Sequence, residues 1–506
     1  MSYLDESRGL EVLDIGSLLR AAECPASWGS PASDSDNEWS PHLRRWIALR
    51  EAIEAWHSSS SVEPLHDAES FAFVQLDKVQ RDVCSEMLRT YIAMADRNHA
   101  IEFDPPVSEV FDEKAIYSLR SRPTAVVRHA GGETEFIKLR TGSAGTRPEE
   151  AAVLLEGADE PGIHADWLLS GDGDAKQIES EPATRRLTID RLFEIRESLN
   201  RDVSTRRSEV RPGMVCFRGC RRAPYCGAYP VLEQRPPATR ARAVIASKSA
   251  IALVADCERR AAWSIVHGIP AEPRSELDRG GFDRGLAVHE LLSQIVLAED
   301  AAAEAQRALN ALPDFQAREI QPFIDNHLSI ADEHEDDLEY RRAELHIGVT
   351  VSAEGRTQGG DNKVEPVTVV MIARVDAAGR EADGTPAIVE HKTSERSVPY
   401  EADLYAASGW YGLKRFEELE AIAVHHHYLG RLSSPRCDRK LYRRADVDEA
   451  VQRLRAVASR IAAWDPADAL KADPLVEVAS ACHFCDFKSR CSRFGGPPGL
   501  SDLLLS

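Results

Sequence analysis

The chain has 506 residues, 43% apolar and 29% charged, which fits two or more soluble domains and excludes a disordered or fibrous protein. Its net charge of −21 argues against a surface coated in nucleic acid but leaves room for a local basic groove. No apolar run approaches the ~18 residues of a membrane span, and the acidic start MSYLDESRGLEV lacks the order of a secretory signal, so the expectation is a cytoplasmic protein with no membrane partner.

The first predicted helix lies in DIGSLLRAAECPASW (14–28), with apolar residues at helical spacing, and ends at Cys24 before a tryptophan. Two β-type runs follow, PTAVVRH and TEFIKLRT, then a helix in RPEEAAVLLEGA, a strand in HADWLLSG and a helix in TIDRLFEIRESLNRD. This part closes with CFRGCRRAPYC, holding Cys216, Cys220 and Cys226. The Pro- and Arg-rich stretch PVLEQRPPATRARAV reads as a linker, placed at 233–246.

Beyond it the order repeats. SKSAIALVADCERRAAW (247–263) is again a helix ending at a lone cysteine, Cys257, before a tryptophan. Then come strands in VTVVMIARVD and PAIVEHKT, a helix in YEADLYAASGWYGLKRFEEL, a strand in AIAVHHHYLGR and a helix in ADVDEAVQRLRAVASRIAAW. The closing trio is CHFCDFKSRC, with Cys482, Cys485 and Cys491. Matching order predicts a duplication of one α/β domain, 1–232 and 247–506, each a mixed sheet flanked by helices.

Six of the ten cysteines sit in the two trios, a clustering that in a reducing cytosol reads as ligation. Cys257 would complete the second trio and Cys24 the first, leaving Cys84 and Cys437 unassigned. The alternative is that Cys24 and Cys257 are ordinary buried residues. Four thiolates suit a [4Fe–4S] cluster or Zn²⁺, and spacing does not separate them. Either would staple the segment after the core to the segment before it.

Asp376 ends one apolar run, and Glu390 ends another fourteen residues later, with Lys392 two positions on. Alternation along a strand puts Glu390 and Lys392 on one face. Two carboxylates make a hard site for Mg²⁺ or Mn²⁺, and a lysine beside them suits metal-assisted attack of water on a phosphodiester.

This set resembles the PD-(D/E)XK nuclease motif. With His289 upstream in GLAVHELLSQI, and one cysteine before and three after, residues 247–495 resemble the RecB-like branch that carries a four-cysteine iron–sulfur cluster. AddB-type helicase–nucleases and CRISPR-associated RecB-like exonucleases belong to that branch. The resemblance implies a restriction-endonuclease-like fold and a metal held by His289, Asp376 and Glu390. It further implies Lys392 orienting water, and a [4Fe–4S] cluster on Cys257, Cys482, Cys485 and Cys491. The activity implied is a DNA exonuclease on single strands or ends, in repair, recombination or phage defence.

The family's usual Q-x3-Y on the next helix is absent. Tyr411 is placed as its tyrosine, with Ala407 where glutamine would stand and Tyr405 and Trp410 as aromatic alternatives. Glu344 is a second acidic residue before the Asp376 strand, or else a surface glutamate. In the first half Lys138 matches the motif lysine, but Phe136 stands where the carboxylate belongs, and counting back fourteen residues reaches LRSRP, without an acid. His66 and His99 are the options for a histidine counterpart. That half is expected to be non-catalytic, with Cys24, Cys216, Cys220 and Cys226 holding a cluster or Zn²⁺.

From Arg206 to Lys248 there are ten Lys/Arg against two Asp/Glu, and 431–444 has six against one. Both are expected phosphate-binding stretches, with Arg221, Arg222, Arg443 and Arg444 as contacts. The alternative reading is a catalytically weak DNA-binding or assembly subunit partnering a separate helicase, since no G-x4-G-K-[ST] loop is present. The HHH at 425–427 is expected to serve strand packing.

Overall fold

The computed structural model describes residues 3–5, 10–13, 15–24, 41–60, 63–95, 100–112, 117–129, 131–141, 147–158, 161–170, 174–178, 181–201, 212–217, 220, 223, 227–232, 242–271, 276–333, 338–356, 364–394, 398–431, 436–464, 482, 485–487 and 490–491. Two units emerge. The first comprises Met1–Arg222, Ala262–Pro273 and Asp465–Ser506, and the second Ala223–Ala261 and Arg274–Trp464. Sequence alone drew the division at 233–246 and gave everything after it to the second domain.

The first unit contains helices α1 (Ile15–Glu23), α2 (Pro41–Ser58), α3 (Pro64–Ala72), α4 (Lys78–Met94), α5 (Pro148–Glu156), α6 (Pro182–Arg201) and the single turn α7 (Met214–Phe217). Its strands are β1 (Tyr3–Asp5), β2 (Leu10–Leu13), β3 (Ala100–Phe103), β4 (Ser108–Phe111), β5 (Tyr117–Ser121), β6 (Ala125–Arg128), β7 (Thr134–Arg140), β8 (Gly162–Leu168) and β9 (Asp174–Ile178). They form two sheets, ordered β1-β2-β5-β4 and β3-β6-β7-β8-β9. Prolines explain the division: Pro105 and Pro106 separate β3 from β4, and Pro123 separates β5 from β6, each removing a ladder donor. In the second sheet only β7 and β8 run parallel. The core joins Trp56, Met87, Tyr91 and Trp167 to Trp263 and Phe487, whose rings meet edge-on with centroids 5.6 Å apart. These two aromatics anchor the later segments in this unit, a long-range packing effect that periodicity along the chain does not reveal.

The second unit begins with β10 (Arg242–Ser247), so the last part of the predicted linker is a strand. It leads into α8 (Lys248–Asp256), whose N-terminus is capped by the Ser247 hydroxyl; α9 (Glu258–Ile265) follows at once, its residues from Ala262 on belonging to the first unit. Helices α10 (Glu276–Ile295), α11 (Ala301–Asn310) and α12 (Asp314–Glu333) come next. Strands β11 (Glu339–Arg356), β12 (Val364–Arg380) and β13 (Pro386–Lys392) precede α13 (Glu401–Leu413). The unit closes with β14 (Ala421–Tyr428), β15 (Cys437–Arg443) and α14 (Arg444–Ala463).

The sheet order is β10-β12-β13-β14-β15, with β11 also pairing β12. The β-branched run of β12 is buried on both faces, as its continuous apolar sequence requires. β10 pairs β12 and β13 pairs β14 in parallel; the other pairs are antiparallel. Short β9 and β15 were not foreseen. β15 falls inside the stretch read as a basic surface, because polar side chains hide an edge strand from an apolar-pattern reading.

Candidate active site

All seven residues of β13, PAIVEHK, are buried although three can ionise. Burying such groups without partners costs several kcal/mol each, so the strand implies a built polar network. β13 and β14 pair in register with Glu390 opposite His426 and His391 opposite His427. Alternation therefore sends Glu390, Lys392 and His426 to one face, and His391, His425 and His427 to the other.

On the first face, Lys392 Nζ donates to Glu390 Oε1 at 3.0 Å and to Glu401 Oε1 at 2.6 Å. Tyr405 OH donates to Glu390 Oε2 at 2.6 Å and lies 3.2 Å from Glu401 Oε1. Lys248, the first residue of α8, donates to Glu390, reaches Tyr405 OH at 2.9 Å, and stands 3.4 Å from Glu401 Oε1. His426 Nε2 is 3.2 Å from Glu401 Oε2. Two carboxylates thus face two ammonium groups in a balanced buried cluster. Burial alone would raise the Glu401 pKa, but His426, Lys392 and Lys248 together bring it down to about 2. Burial works against the Lys392 charge, yet Glu390 and Glu401 hold its pKa above the ordinary lysine value.

Asp376, near the end of β12, sits beside this cluster. Its Oδ2 accepts the backbone N–H of His391 at 2.6 Å, and its Oδ1 lies 2.9 Å from His289 Nδ1 on α10. Burial would raise its pKa, but His289, His391 and Lys248 hold it well below the usual range. Burial likewise opposes protonation of His289, and the adjoining Asp376 carboxylate reverses that and raises its pKa. Side-chain exposure is 24% at His289 and 25% at Lys248, against 4% at Glu390, so solvent reaches the cluster past those two residues. Tyr400 precedes Glu401 with φ of +63°, a left-handed conformation that turns the chain into α13.

Residues 246–492 match the family model of the PD-(D/E)XK nuclease superfamily. The mixed sheet agrees with that fold, and the superfamily's activity points to a nuclease. No curated protein matches the chain. A solved structure described as "Crystal structure of SSO0001" is 13% identical, covering 42% of this chain and 96% of its own, with a TM-score of 0.18.

The second unit thus brings together the four sequence-predicted residues His289, Asp376, Glu390 and Lys392. Two carboxylates and an imidazole are a donor set that fits a hard divalent cation. Sequence reasoning misses three further members, Lys248, His426 and Glu401, and names Tyr405 only as an aromatic alternative to Tyr411. Lys248 had been counted only as part of a basic stretch, and His426 only as packing. Glu401 and Tyr405 are spaced as E-x3-Y on one helix face, so the four-residue spacing sought on this helix starts six residues earlier than Ala407 and Tyr411. Tyr411 lies away from the cluster, under the Arg444 guanidinium at 5.9 Å. Glu344, with φ of +52°, pairs with Arg374 at 3.5 Å, on the side of the surface-glutamate reading.

The basic stretch of β15 is largely committed within the protein. Arg439 grips Glu381 through two bonds of 2.6 Å, Arg436 reaches Ser329 at 3.2 Å, and Arg444 pairs with Asp448 at 3.0 Å. Arg443 is exposed at the start of α14. Arg221, Arg222 and Cys226 lie outside the described residues, as does His99. Cys24 ends α1, and Cys216 and Cys220 are buried in the same unit. Cys257 caps α8, its N–H donating to Leu253 O at 2.8 Å. In the later segment of the first unit, Cys485 N–H reaches Cys482 O at 3.3 Å and Cys491 N–H reaches Phe487 O at 3.1 Å. Among the described residues no helix is long and apolar enough to cross a membrane.

Proposed function

We propose that the second unit is a metal-dependent deoxyribonuclease that hydrolyses phosphodiesters, acting as an exonuclease on single strands or DNA ends. The observation that carries this is the convergence of His289, Asp376, Glu390 and Lys392 at one opening of the sheet, on the span that matches the superfamily. Asp376, Glu390 and His289 would hold Mg²⁺ or Mn²⁺. When bound, that ion supplies Lewis acidity and a more acidic water. Lys392, fixed between Glu390 and Glu401, orients the attacking water and faces the charge that develops on phosphorus. Tyr405 and Lys248 keep Glu390 in place. Duplex unwinding falls to a separate helicase, and the setting is repair, recombination or phage defence.

The first unit is read as a degenerate copy of the same domain. In support, β3-β6-β7-β8-β9 repeats the order and directions of β11-β12-β13-β14-β15, with α5 and α13 at the same place in the order. Phe136 pairs with His164 as Glu390 pairs with His426. Val126, opposite Phe136, packs with it and Leu154 in an apolar cluster where the second copy holds its carboxylates. Lys138 donates to the Arg122 carbonyl at 2.9 Å instead of to an acid.

The cysteine sets remain part of the proposal. Cys257, Cys482, Cys485 and Cys491 would hold a [4Fe–4S] cluster as a structural staple, supported by their spacing and order in the sequence. Cys24, Cys216, Cys220 and Cys226 would hold a second cluster or Zn²⁺. An anaerobic preparation is expected to be brown with about four iron atoms per chain or more; an iron-free protein would remove the cluster.

The nuclease reading is tested on labelled single- and double-stranded DNA with Mg²⁺ or Mn²⁺. Wild type should shorten the strands, and Asp376→Ala and Lys392→Ala should fall to background. Undiminished cleavage by a folded Lys392→Ala variant would sink the assigned site.

A further inference from the structure

The face of β13 and β14 turned away from the carboxylate cluster carries a second constellation. His391 on β13, His427 on β14 and His327 on α12 are all buried, and one ring nitrogen from each lies within 4.8 Å of the other two. The rings of His327 and His391 meet edge-on at 4.9 Å, and those of His391 and His427 at 5.4 Å. Neither ring nitrogen of His391 has a hydrogen-bond partner, nor has Nδ1 of His327, with His391 Nδ1 standing 3.8 Å from Asp376 Oδ2. His327 is only 3% exposed, so water is no substitute partner. An unpartnered buried polar atom is costly, and this cluster concentrates several.

Cys437 adds a sulfur. It is the register partner of His427 across β14 and β15, and its Sγ shares a 4.8 Å grouping with His425 and His427. His425 is buried as well, with Nε2 2.8 Å from Glu381 Oε1 and Nδ1 3.8 Å from Cys437 Sγ. Imidazole and thiolate donors suit a borderline ion, and Zn–N bonds of about 2.0–2.1 Å require only modest closure of the three rings.

We propose that His327, His391, His427 and Cys437 form a buried structural Zn²⁺ site that ties α12 to β13 and β14 on the face opposite the carboxylates. The site does not rest on the nuclease reading. Deep burial leaves no open coordination position for substrate, so its role is to fix the strand that carries Glu390 and Lys392.

The test compares wild type with His327→Leu, using zinc content per chain, thermal melting and zinc K-edge absorption. With the ion, the variant loses about one zinc equivalent and melts lower, and Cys437→Ser shows the same loss. The wild-type edge spectrum should contain imidazole scattering. Without the ion, leucine would remove an unpartnered nitrogen and keep the packing, so unchanged zinc with equal or higher melting temperature overturns the proposal. Should His327→Leu fail to fold, the wild-type spectrum decides alone: absent imidazole scattering, the site does not exist.

Discussion

Glu401 shows how one side chain ties stability to pH. Its carboxylate is fully buried, and its pKa of about 2 lies below the ordinary 4.5 because His426 and two lysines stabilise the charge. As pH falls the unfolded chain takes up this proton first. The stability Glu401 contributes is therefore complete above about 4.5 and is lost as pH falls toward 2. Glu401→Gln should lower stability at neutral pH by about 3 kcal/mol, because it leaves Lys392 short of a buried partner. It should also flatten the acid limb; urea midpoints measured from pH 7 downward read both effects. Tyr405→Phe removes only the hydroxyl between Glu390 and Lys248. It is expected to lower the cleavage rate about tenfold while the melting temperature moves by only a few degrees, measured by single-turnover cleavage beside calorimetry.

At the scale of elements, α13 delivers two of these residues, and it reaches the sheet through a run of small side chains. A Cβ added at Gly409 would collide with Ile422 Cδ1 and come 3.0 Å from Ile388 Cδ1. Gly409→Ala should therefore push α13 off β13 and β14, destabilising the fold by about 1–3 kcal/mol. Because Glu401 and Tyr405 ride on that helix, cleavage should fall as well; an unchanged melting temperature would contradict this packing. The same elements show what sequence could and could not deliver. β13 was legible, since an apolar run broken by Glu390 and Lys392 stands out against its surroundings. The face of α13 was not, because the helix is buried nearly all round and gives no apolar stripe to set its register. Lys248 and His426 were illegible for a different reason. Each joins the cluster only through pairing of strands distant in the chain, β10 with β12 and β14 with β13.

At the scale of the whole chain, the proposed repeat rests on the order of elements, which α/β periodicity makes readable along the sequence. The allocation of Trp263 and Phe487 to the first unit was not readable, since it depends on packing between segments more than 200 residues apart. The two sheets lead to a last prediction. If one ancestral site was kept and one was filled, activity should be wholly asymmetric between them. In the second sheet, charged side chains around β13 are held by partners at 2.6–3.0 Å, whereas the corresponding place in the first is closed by Val126, Phe136 and Leu154. Asp376→Ala should thus abolish cleavage with no residual second phase, and Lys138→Ala should leave the rate within about twofold of wild type. Restoring polarity with Phe136→Glu should not create activity. It would place a carboxylate in an apolar cluster, with Lys138 bound to a backbone carbonyl and no acid opposite at Val126. Its expected outcome is a loss of several kcal/mol of stability, read as a lowered melting transition. Cleavage surviving in Asp376→Ala and disappearing only when Lys138→Ala is added would show that the first sheet still cuts.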